Sequence, residues 1–144
     1  MSKLCVHDIM TREVFTLRET DTLKTARSMM SLARIRHIPI VNDRIEFQGL
    51  VTHRDILGAT ISRFADVDRE TQDEIDSGIP IAEIMRTDVT HVAPDLALRD
   101  AAELLLAHKY GCLPVIEEGI LVGILTEADF LKLTIRLMDA LDGL

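Results

Sequence analysis

Two stretches of this chain spell out nearly the same unit, and that internal repeat limits the fold more than any other feature. Val6-His7-Asp8-Ile9-Met10 and Ile81-Ala82-Glu83-Ile84-Met85 each open a run that passes through an Ile-Pro or Leu-Pro step and closes on Gly-x-x-Thr-x-x-Asp. With Met10 set on Met85 the offset is 75, and no gap is needed as far as Ile45, which falls on Ile120. Val14 then meets Val89, Leu23 meets Leu98, Ala26 meets Ala101 and Pro39 meets Pro114. One residue drops out of the second hairpin, so Gly49 meets Gly123, Thr52 meets Thr126 and Asp55 meets Asp129. A unit of this size cannot bury both a sheet and its helices alone. The two copies are therefore expected to pack on each other about a pseudo-twofold axis.

The local pattern changes in the same order in each copy. Val14-Phe15-Thr16-Leu17 and Val89-Thr90-His91-Val92 are short and β-rich, and helix-start residues follow them, Thr20-Asp21 and Pro94-Asp95. Leu23, Ala26, Met29, Met30 and Ala33 share one helical face, as do Leu98, Ala101, Ala102 and Leu105. Ile38-Pro39-Ile40-Val41 and Leu113-Pro114-Val115-Ile116 come next. Each is joined through polar turn residues to a second apolar run, Phe47 to Val51 and Ile120 to Leu125, which predicts an antiparallel pair. The prolines put these strands at an edge or a start, and are expected to mark where the chain enters the sheet. A second helix begins at Thr52 and at Thr126, the last one running from Glu127 to about Leu141. The fold class is mixed α/β (α+β), two β-α-β-β-α repeats at 6–57 and 81–131, an acidic connecting segment at 58–80 and a C-terminal helix extension at 132–144.

Charge narrows the function classes. The net charge is -8, and between Asp66 and Asp76 six acids face the single Arg69. No basic stripe offers itself to nucleic acid. The acidic stretch reads as a solvated linker or surface helix. Two cysteines, Cys5 and Cys112, make no framework, which suits a reduced, cytoplasmic setting. No apolar run approaches the ~18–20 residues of a membrane span. The five histidines form no H-x-x-x-H or H-E-x-x-H pair, and no Walker A loop, G-x-G-x-x-G run or G-x-S-x-G elbow occurs. Neither an enzyme nor a metal centre is expected, and no cofactor.

The residues Val6-x-x-Ile9-Met10, Ile38-Pro39-Ile40-Val41 and Gly49-Leu50-Val51-Thr52-x-x-Asp55-Ile56-Leu57, echoed by Ile81-x-x-Ile84-Met85, Leu113-Pro114-Val115-Ile116 and Gly123-Ile124-Leu125-Thr126-x-x-Asp129-Phe130-Leu131, resemble a tandem cystathionine-β-synthase (CBS) domain pair. The resemblance implies a regulatory module that binds AMP, ADP, ATP or S-adenosylmethionine in clefts between the repeats, associates as a dimer and leaves catalysis to another domain or partner.

The residues themselves suit such a ligand. Where Thr52 ends a strand and starts a helix, backbone N–H groups and the helix dipole favour phosphate. Asp55, one turn on, can accept ribose hydroxyls, and the Thr52 hydroxyl can donate to a phosphate oxygen. Thr-x-x-Asp is equally close to a capping box, with Thr as N-cap and the acid reaching back. Arg36 and His37, where the family's loop lines the cleft, and Arg54 add cations for phosphate. In the second copy the matching positions are Gly111-Cys112 and Glu127-Ala128, so the Asp129 site lacks both arginines, with Lys109 the nearest substitute. Without Trp, an adenine is expected between aliphatic side chains, Val51 or Leu125 with residues near Val14 and Val89. The expected function is an adenine-nucleotide sensor that signals to an effector protein as a homodimer, with the apolar faces around Met29-Met30 and Leu104-Leu105 and the long last helix as its contacts. The alternative is a ligand-free structural or dimerisation module.

Overall fold

The structure, a computed structural model, describes residues 3–64, 68–108 and 111–143. Asp66, Val67, Lys109 and their masked neighbours lie outside the described residues. The chain divides into two compact units. The central unit, Phe15–Val89, holds α2 (Leu23–Ala33), β1 (His37–Val41), β2 (Phe47–Thr52), α3 (His53–Phe64), α4 (Arg69–Asp76) and a 3-10 turn at Ile81–Glu83. The terminal unit joins Met1–Val14 to Thr90–Leu144 and holds α1 (Val6–Ile9), α5 (Leu98–Ala107), β3 (Cys112–Glu117), β4 (Ile120–Thr126) and α6 (Glu127–Asp142). The class is mixed α and β with two small antiparallel sheets, as the pattern predicts. The repeats of the sequence and the compact units of the fold are cut differently. Each unit takes its sheet and flanking helices from one copy and its opening turn from the other.

Glycine makes that exchange possible. Leu50 N–H donates to the Arg86 carbonyl at 2.9 Å and Arg86 N–H to the Leu50 carbonyl at 2.8 Å. In the terminal unit Thr11 and Ile124 exchange the same two bonds, both at 2.9 Å. A Cβ on Gly49 would lie 2.6 Å from the Arg86 carbonyl oxygen, and one on Gly123 would lie 2.7 Å from Met10 Sδ and 2.9 Å from the Thr11 carbonyl oxygen. Only a residue without Cβ admits the crossing backbone. The Gly that opens Gly-x-x-Thr-x-x-Asp thus has a packing reason in both copies.

The sheets depart from the expectation at their outer edge. Val14–Leu17 and Val89–Val92 form no strands. Each adds a single parallel bridge, Leu17 with Ile40 and Val92 with Val115. Leu17 N–H donates to the Pro39 carbonyl and Val41 N–H to the Leu17 carbonyl; Val92, Pro114 and Ile116 repeat the arrangement. The next bond of such a ladder needs the N–H of Pro39 or Pro114, which proline lacks, so pairing stops after one residue. The prolines are not entry points either, since β1 begins at His37 and β3 at Cys112.

The first long helix of each copy starts later than Thr20-Asp21 and Pro94-Asp95 suggest. α2 is capped by Thr22, whose hydroxyl accepts from Thr25 N–H at 3.3 Å, and α5 begins after Ala97. Inward faces fill two cores. Leu23, Ala26, Met30, Ile38, Val51 and Ile56 meet Ile79 and Ile81 in the central unit; Val6, Leu98, Ala101, Leu113, Val115 and Leu125 meet in the terminal one. Each fully buried Leu, Ile or Val contributes about 1.5–3 kcal/mol. Met30 and Leu105 are thus core residues, with Met29 and Leu104 packed against them. Of the residues expected to make dimer contacts, Met30 and Leu105 are therefore buried within their own units, while Met29 and Leu104 are half-buried.

The acidic segment is more than a linker. It forms α4, capped by Asp68, which accepts from Thr71 N–H at 2.8 Å and whose pKa is lowered by that bond. Its Asp76 is fully buried, paired with Arg27 Nε at 2.8 Å and accepting from Gln72 Nε2 at 2.8 Å. Among the described residues, no helix is long and apolar enough to cross a membrane.

Candidate functional site

The hairpin register brings the first set of expected residues together at one end of its sheet. His37 lies opposite Thr52, and the Arg36 carbonyl accepts from His53 N–H at 2.8 Å. Arg36-His37 therefore stands beside Thr52-His53-Arg54-Asp55, at the N-terminus of the twelve-residue α3. Arg36 and Arg54 are exposed and form no ion pair among the described residues, while His37 is half-buried. Thr52 is buried, and Val51 behind it is a fully buried member of the core.

Asp55 is held on both oxygens. Oδ2 accepts from Thr52 N–H at 3.0 Å and from Thr52 Oγ1 at 2.9 Å, while Asp55 N–H donates to Thr52 Oγ1 at 3.2 Å. This is the capping box. Oδ1 takes both Nε and a terminal nitrogen of Arg86, each at 2.8 Å. The sequence reading missed Arg86. Its only signal was its register position, one residue past the Ile84-Met85 step, and nothing local says that this step docks on Leu50.

The second set is assembled the same way with different chemistry. Cys112 lies opposite Thr126 in the β3–β4 pair. Asp129, only 4% exposed, accepts on Oδ2 from Thr126 N–H at 2.8 Å and on Oδ1 from Thr11 Oγ1 at 2.8 Å. Thr11 is the register equivalent of Arg86, so a neutral hydroxyl stands where the first copy has a guanidinium. Gly111 takes φ +75° ahead of the strand. Burial pushes the Cys112 thiol up to about 12, so it is a neutral core side chain at ordinary pH. Leu125 is likewise fully buried. Glu127 and Ala128 at the start of α6 are exposed and add no positive charge.

One set is cationic and the other is not. Arg86 pairs with Asp55 at the first Thr-x-x-Asp, with Arg54 in the first turn of α3 and the Arg36 backbone beside it, whereas the neutral Thr11 stands at the second. Among the described residues of the two sets the one thiol, Cys112, is held neutral by burial and is no activated nucleophile. One grouping of metal-ligating side chain types forms outside the spacings that the sequence analysis considers. Cys5, His7 and Asp8 bring one ligand atom each within 4.8 Å of one another. The spacing C-x-H-D matches no familiar zinc pattern, which is why the sequence reading passed over it.

The model of the CBS domain family matches residues 6–62 and 81–136. YhcV of Bacillus subtilis, described as CBS domain-containing, is 31% identical over 124 residues, which is 86% of this chain and 81% of that protein. MJ1225 of Methanocaldococcus jannaschii is 33% identical over 89% of this chain, and the chain spans 42% of its length. The homoserine O-acetyltransferase of Methanohalophilus mahii matches at 32% identity, with the chain spanning 23% of the enzyme. Among solved structures, a Vibrio cholerae protein ascribed to acetoin utilization (AcuB) is 36% identical with a TM-score of 0.82, over 99% of this chain and 98% of its own. CBSX2, solved in complex with AMP, has a TM-score of 0.78 at 23% identity over 93% of this chain and 98% of its own. The CBS domain pair of MJ0100, solved with 5′-methylthioadenosine and S-adenosyl-L-methionine, has 0.74 at 22%, over 92% and 97%. At those two identities the likeness is one of fold.

Proposed function

The chain belongs to the CBS domain family, and on that premise we propose that it is a regulatory module that binds an adenine nucleotide and passes the occupancy of its site to an effector protein. The observation that carries the reading is that Asp55, capped on Thr52 at the start of α3, is paired with Arg86, with His37 opposite Thr52 in the hairpin register and Arg54 in the same helix turn. Phosphate is taken by the arginines and the helix start, and ribose hydroxyls by Asp55, which must then share or release Arg86. Each charge-assisted bond contributes about 1.5–3 kcal/mol. The complexes of CBSX2 with AMP and of MJ0100 with S-adenosyl-L-methionine support AMP and S-adenosylmethionine as the ligands to test beside ADP and ATP.

Thermal unfolding and calorimetry with AMP, ADP, ATP, S-adenosylmethionine and adenosine test it. Ligand binding to the folded chain alone stabilises by about 2.7 kcal/mol at a hundredfold excess over the dissociation constant. A phosphorylated ligand is expected to bind tighter than adenosine. No shift with any of the five overturns the reading in favour of a ligand-free structural module. That second reading has its own observation: both aspartates are already satisfied as helix caps, one closed by Arg86 and one by Thr11.

Association as a homodimer belongs to the same proposal. Past Leu133, which still packs on the core of its unit, α6 is exposed, and Leu131, Ile135, Met138 and Leu141 are all more than half exposed and aligned at helical spacing. A stripe of this kind is the covered face of a helix pair in most soluble proteins.

A further inference from the structure

We propose that Cys5, His7 and Asp8 bind one divalent transition-metal ion of the zinc class, at the start of α1 and apart from the Thr-x-x-Asp sets. Thiolate, imidazole and carboxylate are the three ligand types such an ion takes, and their ligand atoms already lie within 4.8 Å of one another. His7 Nδ1 and Asp8 Oδ1 are 3.4 Å apart. Two ligands on a tetrahedral ion with bonds of ~2.0–2.1 Å are about 3.3–3.4 Å apart, so this edge of the site is in place. Only the thiol has to close on it. Cys5 Sγ donates a weak bond to the Lys3 carbonyl at 3.6 Å, which costs little to give up.

The frame under the ligands is fixed. Val6 N–H donates to the Leu96 carbonyl at 3.0 Å, His7 N–H to the Pro94 carbonyl at 2.9 Å, and Leu98 N–H to the Leu4 carbonyl at 2.9 Å. Asp8 divides its labour, with Oδ2 accepting from Cys5 N–H at 2.7 Å and Oδ1 left toward His7. A carboxylate oriented by a backbone donor is the usual outer-shell support of a metal ligand. His7 and Asp8 are partly exposed, so an ion has access. Sulfur and nitrogen donors select zinc-like ions over magnesium or calcium. On binding, the Cys5 thiol releases its proton to solvent, and the fourth position is left to water.

The test uses the full chain without nucleotide, stripped with chelator and titrated with Co²⁺ and then with Zn²⁺ against a chromophoric chelator. One Co²⁺ per chain is expected, with a sulfur-to-metal charge-transfer band that Zn²⁺ abolishes. Cys5→Ser should remove the band. Cys5→Ser and His7→Gln should each weaken binding at least about tenfold, with circular dichroism confirming the fold. Cys112→Ser should keep the band, since that thiol is buried. Binding no tighter in the parent chain than in the Cys5→Ser, His7→Gln double variant, or a band that survives Cys5→Ser, overturns the proposal.

Discussion

Gly49→Ala should be among the most damaging single-methyl additions this chain can take, because its target is a backbone atom. The new Cβ would lie 2.6 Å from the Arg86 carbonyl oxygen and 3.3 Å from Met85 Sδ. A methionine sulfur can swing away, but the carbonyl is tied down: it accepts from Leu50 N–H at 2.9 Å, and Arg86 N–H returns a bond of 2.8 Å. Relieving the clash stretches both. Two hydrogen bonds contribute about 0.5–1.5 kcal/mol each, and an added methyl in a tight site costs about 1–3 kcal/mol. A loss of about 2–6 kcal/mol follows as an upper range, or a urea midpoint lowered by about 1–3 M at an m-value near 2 kcal/mol/M. Gly58→Ala in the same unit is the control. It has nothing within 4 Å of the added carbon and sits inside α3, so it should gain about 0.5–1 kcal/mol. Since the displaced backbone carries the guanidinium on Asp55, Gly49→Ala and Arg86→Ala should be less than additive in a double-mutant cycle. A Gly49→Ala loss under about 0.5 kcal/mol, or full additivity, refutes the reasoning.

Other outcomes can be checked with similar means. In calorimetry Asp55→Ala and Arg36→Ala should weaken AMP about ten- to a hundredfold, and Arg36→Ala should leave adenosine nearly untouched, while Asp129→Ala matters less; the reverse order sinks the electrostatic assignment. Thr11→Val deprives Asp129 Oδ1 of its donor and should cost about 1–3 kcal/mol in urea unfolding. One thiol per chain, Cys5, should react with a disulfide reagent in the native state, and Cys112 only after unfolding. Because the folded pKa of Cys112 is raised from 9.0 to about 12, its contribution to stability is full below pH 9 and falls as pH climbs toward 12. If the α6 stripe is the dimer contact proposed above, light scattering should give a dimer for the parent chain and a monomer of 16.1 kDa for Ile135→Asp at the same concentration; a parent chain that is itself a monomer refutes the contact.

Much was legible along the chain because it is decided within a few residues. The repeat register places Pro39 on Pro114 and Gly49 on Gly123, and both copies form the same hairpin with a bulge at the equivalent step, Ile40/Val41 and Val115/Ile116. Apolar spacing picked the buried faces of α2 and α5, and Thr-x-x-Asp predicted the helix starts at 52 and 126. Hydrophobic period, turn residues and caps are local chemistry, so a linear reading reaches them. That Arg36 and His37 stand near Thr52 and Asp55 was implied by the family resemblance, and the hairpin register puts His37 opposite Thr52.

What only the tertiary structure decided is which opening turn lies on which sheet. The two openings, Val6 to Met10 and Ile81 to Met85, are so alike that nothing local distinguishes docking on their own copy from docking on the other. The exchange puts Arg86 on Asp55 and Thr11 on Asp129, across separations of 31 and 118 residues. It also gives the two glycines their packing role. The reduced third strand could have been foreseen only by knowing which edge of β1 its proline faces. Asp76 was read as solvated from its acidic neighbours, yet Arg27, 49 residues away, draws it fully into the interior. Charge and periodicity are written residue by residue, whereas partners of a side chain are set by the packing of distant backbone, and no window of sequence contains that packing.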